Sequence, residues 1–209
     1  MIRIARIVEN SRVDGPGLRT TLFVQGCSIH CPGCQNRNLW DPKGDGSEDA
    51  ATLAQHIMRV YQNKNITISG GEPFDQNLSD MFVLIVWLRK YGAKHIILYT
   101  GYTLEQLSDR SVKDHEPRIL DIIDELDVLV DGPFQAANDD DLLIYRGSRN
   151  QRALDVPASV LNKHNVYLNW DNPEIILTPE GTALMPQGLA PVFADLGAAE
   201  QTRRCGQQE

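Results

Sequence analysis

Three of the four cysteines in this chain, Cys27, Cys31 and Cys34, fall in one short run, GCSIHCPGCQN. The spacing C-x3-C-x2-C puts three soft thiolates on a single loop. Thiolates at that density hold zinc or an iron–sulfur cluster. A Cys3His zinc site would need His30, but His30 adjoins Cys31, and neighbouring residues rarely both turn inward onto one tetrahedral ion. The histidines at positions 56, 95, 115 and 164 show no metal spacing among themselves. A [4Fe–4S] cube suits three thiolates better and leaves one iron open to a further ligand. Pro32 and Gly33 allow the tight backbone path between the second and third cysteines.

Other unusual residues follow runs that read as strands. Residues 19–26, RTTLFVQG, are rich in β-branched and aromatic side chains, and the cysteine loop comes straight after them. Residues 65–71, NITISGG, form a short apolar run ending in a glycine pair, followed by Glu72 and Pro73. Residues 95–102, HIILYTGY, end on Thr100, and residues 127–134, DVLVDGPF, turn at Asp131. Helices separate these strands. Ser47 offers an N-cap before Leu53, Ile57 and Val60 at helical spacing, residues 78–92 run to a stop at Gly92, and Pro117 opens a third helix.

Alternating strands and helices imply a parallel sheet, open or closed into a barrel. Such folds collect ligands at the carboxyl ends of their strands. The cysteine loop, the Gly70-Gly71-Glu72 turn, Thr100 and Asp131 should therefore gather at one end of one sheet. Beyond residue 155 the rhythm weakens. Residues 1–155 read as the core domain and 156–209 as an extension, with a hairpin turning at residues 179–181 and a loose tail that holds Cys205 as an uninvolved thiol.

Bulk properties narrow the class. The 209 residues are 42% hydrophobic and carry a formal charge of −8. That suits one domain with a real core and argues against a nucleic-acid scaffold. The longest apolar run, residues 81–88, falls well short of the ~20 residues of a membrane helix. The first residues, MIRIARIVENSR, lack the pattern of a secretory signal. A clustered set of cysteines fits a reducing compartment, so the expected location is cytoplasmic.

The ordered set of motifs resembles the radical S-adenosylmethionine (SAM) superfamily. Within it, DGPGLRTTLFVQGCSIHCPGCQN is similar to the activating enzymes of glycyl-radical enzymes. YTGYTLEQL, DVLVDGPF and YRGSRNQ narrow the resemblance to the activating proteins of anaerobic ribonucleoside-triphosphate reductase. The resemblance implies an α/β fold, a partial (β/α)6-type radical SAM barrel with parallel strands. It implies a [4Fe–4S] cluster on Cys27, Cys31 and Cys34, and SAM on the open iron. Gly70, Gly71 and Glu72 match the motif that grips the methionyl amino group, and Thr100 and Asp131 stand where the family places groups near SAM. No catalytic residue is implied beyond the cluster and SAM ligands. The position before Cys34, often aromatic in the superfamily, is Gly33, which leaves the adenine contact unassigned. The implied reaction is hydrogen abstraction from a glycine of the partner reductase, with electrons from a reduced flavodoxin- or ferredoxin-type donor. Two other readings stay open: a compact radical SAM enzyme acting on a small molecule, like 7-carboxy-7-deazaguanine synthase, and an activase of another glycyl-radical enzyme. A zinc-bound interaction module would leave SGGEP and DGPG unexplained.

Overall fold

The computed structural model describes residues 1–44, 46–140 and 142–170, and the backbone of 176–177 and 183–184. The chain divides into two units, Met1–Asp171 and Asn172–Glu209. In the second, strands Ile176–Leu177 and Ala183–Leu184 pair antiparallel. The turn expected at 179–181 and Cys205 lie outside the described residues.

The first unit is built on one eight-stranded sheet. In chain order its elements are β1 (Ile2–Ser11), β2 (Arg19–Val24), β3 (Gly46–Glu48), α1 (Ala50–Val60), β4 (Asn65–Gly70), α2 (Leu78–Lys90), β5 (His95–Tyr99), α3 (Leu104–Lys113), α4 (Arg118–Asp124), β6 (Val128–Asp131), β7 (Arg152–Asp155), α5 (Val156–Asn162) and β8 (Val166–Tyr167). The strand order is β3-β1-β2-β4-β5-β6-β7-β8. The central strands β2, β4, β5 and β6 run parallel, and β1, β3, β7 and β8 flank them antiparallel. The sheet is open. Parallel strands need a crossover, usually a helix. Among the described residues between β6 and β7 there is one short 3-10 turn, Ala136–Asn138, and no crossover helix; β7 returns antiparallel and the alternation stops at four parallel strands.

The two faces of the sheet differ. Leu22, Val24, Ile66, Ile68, Ile96, Leu98 and Leu129 point to the helices and form the core with Leu53, Ile57, Met81, Leu84, Leu88 and Ile122. Strand alternation puts the intervening residues on the other face, and among them Arg19, Thr21 and Thr67 are polar and buried. Arg19 is 1% exposed. Its Nε donates to Thr67 Oγ1 at 2.6 Å, and its Nη atoms donate to the Pro16 and His95 carbonyls, both at 3.2 Å. Burial lowers its pKa to about 10. Thr67 Oγ1 donates in turn to the Asp14 carbonyl at 2.8 Å. The DGPG turn is therefore fastened across the polar face of the sheet. A Cβ on Gly15 would fall 2.7 Å from Ile97 Cδ1.

Capping differs from expectation at α1. Asp49 is the N-cap, accepting from Thr52 N at 2.9 Å. Ser47 lies in β3, paired with Arg3. Among the described residues no helix is long and apolar enough to cross a membrane.

Candidate functional site

The parallel strands deliver their carboxyl ends to one edge, and the cysteine loop is fastened there by its base. Gly26, at φ +97°, turns the chain out of β2. Gly26 N donates to the Leu39 carbonyl at 2.8 Å and Cys27 N to the Trp40 carbonyl at 3.1 Å. Within the loop, Cys34 N donates to the Cys31 carbonyl at 3.1 Å, with Gly33 at φ +85°. The loop is also held from outside: Ser28 N donates to Asp75 Oδ2 at 2.6 Å, and Tyr102 Oη donates to the other oxygen of Asp75 at 3.2 Å. Tyr102 thereby braces the loop from the end of β5.

Cys27, Cys31 and Cys34 are free thiols, all partly exposed. Together with Gly70, Gly71, Glu72 and Thr100 they line one cavity of about 210 Å³. Burial raises the Cys27 and Cys31 thiols above their ordinary pKa, so both are protonated at neutral pH when no metal is bound. Among the described residues no three His, Cys, Asp or Glu side chains close on a point that could hold a single metal ion.

The Gly-Gly-Glu turn is packed against this loop. Gly71 N donates to the Val24 carbonyl at 2.8 Å, and Glu72 N donates to the Gly26 carbonyl at 2.7 Å. A Cβ on Gly70 would fall 2.7 Å from Val24 N, and one on Gly71 only 2.2 Å from the Gly26 oxygen. The end of β4 therefore seats on the residue that precedes Cys27, an approach open only to glycine.

Glu72 is 1% exposed. Its Oε1 accepts from Phe74 N and from Thr100 Oγ1, each at 2.9 Å, and its Oε2 accepts from Gly101 N at 2.8 Å. Thr100 thus orients Glu72. Burial outweighs these three donors and pushes the Glu72 carboxyl from 4.5 up to about 7. The folded chain then holds a proton that the unfolded chain has released. Stability should fall as pH rises from about 4.5 to about 7, by about 3 kcal/mol at most at 1.36 kcal/mol per pKa unit. Denaturant midpoints of the metal-free chain at pH 5 and pH 8 check this. The parent should lose more stability between them than Glu72→Gln, which has no proton to lose.

Asp131 is not in the cavity wall. It is 1% exposed and fully engaged. Oδ2 accepts from Leu104 N at 2.7 Å, and Arg152 Nε donates to Oδ1 at 3.0 Å. Arg152 also holds Glu105 at 2.8 Å, and that pair drives the Glu105 carboxyl down to about 2. Asp131 therefore ties β6 to the start of α3 and to β7. The next residues, Gly132 and Phe134, do reach the cavity.

The RGSRNQ segment supplies a wall that its composition alone did not reveal. Gln151 Oε1 accepts from Gly147 N at 2.8 Å and from Ser148 N at 3.2 Å, while its Nε2 donates to the Gly132 carbonyl at 3.0 Å. Gly147 and Gln151 line the cavity beside Ile29, Trp40 and Tyr99. His30, in left-handed backbone at φ 52°, lies outside the cavity and stacks on Trp40 with ring centroids 4.5 Å apart.

Residues 13–154 match the family described as a 4Fe-4S single cluster domain. Over 146 residues the chain is 36% identical to the anaerobic ribonucleoside-triphosphate reductase-activating proteins of Salmonella typhimurium and Escherichia coli, spanning 66% of this chain and 89% of each relative. The protein of the same name from Enterobacteria phage T4 is 33% identical over 152 residues, spanning 70% of this chain and 90% of that relative. Among solved structures, that of QueE from Escherichia coli superposes with a TM-score of 0.39 and 20% identity over 49% of this chain and 53% of its own, too distant to bear on function.

Proposed function

This chain belongs to the family of 4Fe-4S anaerobic ribonucleoside-triphosphate reductase-activating proteins, and from that premise we propose that it holds a [4Fe–4S] cluster on Cys27, Cys31 and Cys34, binds SAM beside it, and installs a glycyl radical in a partner anaerobic ribonucleoside-triphosphate reductase. The observation that carries the reading is the single cavity shared by the three thiols and the Gly-Gly-Glu turn. When bound, the cluster and SAM supply a one-electron reductive cleavage that yields a hydrogen-abstracting 5′-deoxyadenosyl radical.

The chain's own residues prepare that chemistry. The loop, pinned at Gly26 and Cys27, presents three thiolates from a fixed backbone. Gly70 and Gly71 let the end of β4 approach without side chains in the way. Glu72, aimed by Thr100 and Gly101, offers the cavity a carboxylate suited to a substrate ammonium. Asp131 acts at one remove, by holding Gly132 and the start of α3 in place. Ile29 and Phe134 are apolar wall and keep water from a reactive centre.

We read the open sheet as an incomplete (β/α)6-type barrel whose uncovered side admits a peptide loop of the reductase. Residues 1–155 form the radical SAM core and 156–209 the extension. The electron donor is a reduced flavodoxin- or ferredoxin-type protein in the cytoplasm. Relatives at 36% identity bear the activating name, which weighs against the small-molecule alternative.

The test is anaerobic. The chain is reconstituted with iron and sulfide, reduced, and mixed with SAM and the purified anaerobic reductase from the same source. The expected result is 5′-deoxyadenosine by chromatography together with a glycyl-radical doublet by electron paramagnetic resonance (EPR). Deoxyadenosine without the doublet would move the reading to a small-molecule substrate. Tightly bound zinc and no deoxyadenosine would overturn it.

A further inference from the structure

The cavity that holds the three cysteines has a neighbour on the polar face of the sheet. A cleft of about 500 Å³ opens between residues 12–14 and 143–147. It shares Gln35, Ser69, Tyr99 and Gly147 with the 210 Å³ cavity. Two of these are engaged. Tyr99 Oη donates to the Tyr145 carbonyl at 2.8 Å, and Gly147 N donates to Gln151 Oε1 at 2.8 Å. The side chains of Gln35 and Ser69 have no hydrogen-bond partner among the described residues. Ser69 comes two residues after Thr67, so strand alternation sets it on the same polar face, directly before Gly70, and Gln35 follows Cys34. Another cleft, of about 830 Å³, also meets the cavity, but at Cys27 and Trp40 on the cysteine loop. The 500 Å³ cleft meets it beside the Gly-Gly-Glu turn, where SAM is proposed to bind.

We propose that this cleft seats the glycine-bearing segment of the reductase, and that Gln35 and Ser69 hold the peptide groups on either side of the target glycine. The inference rests on the activating reading above. The step moves one hydrogen atom from the glycine Cα to the 5′-deoxyadenosyl radical, leaving 5′-deoxyadenosine and the glycyl radical. Glycine offers no side chain to grip, so its Cα is placed through the backbone that flanks it. Each peptide group there carries one N–H and one C=O. A glutamine amide and a serine hydroxyl can each both donate and accept, and they match that chemistry without a charge. Gly147, bare of a side chain, leaves room at the junction for a backbone to pass close. Gln35 and Ser69 are positioning residues. Hydrogen transfer needs the reacting atoms close and aligned, so their hydrogen bonds couple SAM cleavage to radical installation.

The test uses the full chain with its cluster reconstituted, SAM, and the purified anaerobic reductase. Gln35→Ala and Ser69→Ala should take up iron and sulfide as the parent does, and should cleave SAM at the parental rate when no reductase is present. With reductase, each should raise the KM for it about fivefold, the weight of one neutral hydrogen bond, and should form fewer glycyl radicals per deoxyadenosine. Ser69→Thr, which keeps the hydroxyl, should restore that ratio. Parental KM and ratio in both alanine variants overturn the proposal. A second measurement decides the matter if an alanine variant loads poorly. A photoreactive phenylalanine analogue at Leu143, in the cleft wall, should crosslink to the reductase segment that carries the radical glycine, identified by mass spectrometry. No crosslink to that segment, from a parent that does install the radical, overturns the cleft assignment alone. A parent that cleaves SAM and installs no radical overturns the activating reading with it.

Discussion

Alanine in place of Cys27, Cys31 or Cys34 should take the reconstituted chain from a full [4Fe–4S] complement to background and reduce deoxyadenosine formation below detection, while the metal-free chain stays folded. The two halves of that expectation have separate causes. The thiols are partly exposed and lie outside the hydrophobic core. The loop keeps its shape through backbone bonds, from Gly26 N to the Leu39 carbonyl at 2.8 Å and from Cys34 N to the Cys31 carbonyl at 3.1 Å. Substitution at such positions usually changes stability by no more than about 0.5 kcal/mol. The cluster has no comparable reserve. Three protein ligands is already one fewer than its irons, and losing another leaves a second iron open to solvent. Iron and sulfide content, with denaturant midpoints of the metal-free variants, checks both halves. Cys205→Ala is the control and should load normally. A single variant that retains the cluster and cleaves SAM would remove that cysteine from the ligand set.

What the sequence shows directly is local. The thiolate spacing, the glycine pair after β4 and the apolar runs of the central strands are all visible within a few residues. Long-range pairings were not. Asp131 looks like a ligand-binding acid at a strand end, but it is satisfied by Arg152, twenty-one residues downstream. Thr100, expected near SAM, lines the cavity and donates its hydroxyl to Glu72, twenty-eight residues before it. Gln151 and Trp40 reach the cavity only because the fold brings their segments there. Two elements were hidden for local reasons. Charged Arg3, Arg6 and Glu9 interrupt the apolar pattern of β1, and α3 buries only Leu107 and Ser111. The Thr103 and Gln106 capping box was the signal that could have exposed α3. Ser47 and Asp49 were both competent caps, and the chain uses Asp49, directly before Ala50. The early end of the parallel alternation follows from the lack of a crossover helix among the described residues between β6 and β7, and the turn-rich composition there is its local sign.

Gly71→Ala, which removes none of the three proposed cluster thiolates, should nonetheless cost the chain its cluster. The added Cβ would lie 2.2 Å from the Gly26 oxygen and 2.8 Å from the Gly26 carbonyl carbon. Both are backbone atoms, so no rotamer change relieves the clash. Either the end of β4 or the turn after β2 must move by about an ångström. That movement breaks the bonds from Glu72 N to Gly26 and from Gly71 N to Val24, at 2.7 and 2.8 Å. Two lost backbone bonds at about 1 kcal/mol each, plus about 1–3 kcal/mol for overpacking, amount to roughly 3–5 kcal/mol. The displaced atoms belong to the residue before Cys27, so the thiolate set is spoiled along with the Glu72 anchor. Gly92→Ala supplies the contrast. Gly92 sits at φ +98° with open space around it, so alanine there meets only the left-handed penalty of about 1–2 kcal/mol. Denaturant melts of both variants, followed by iron uptake at a temperature where both are folded, separate the two effects. Gly92→Ala should be modestly less stable and load fully. Gly71→Ala should load poorly even where it is folded, and normal loading there would show that the glycine pair serves the fold alone and does not shape the cluster cavity.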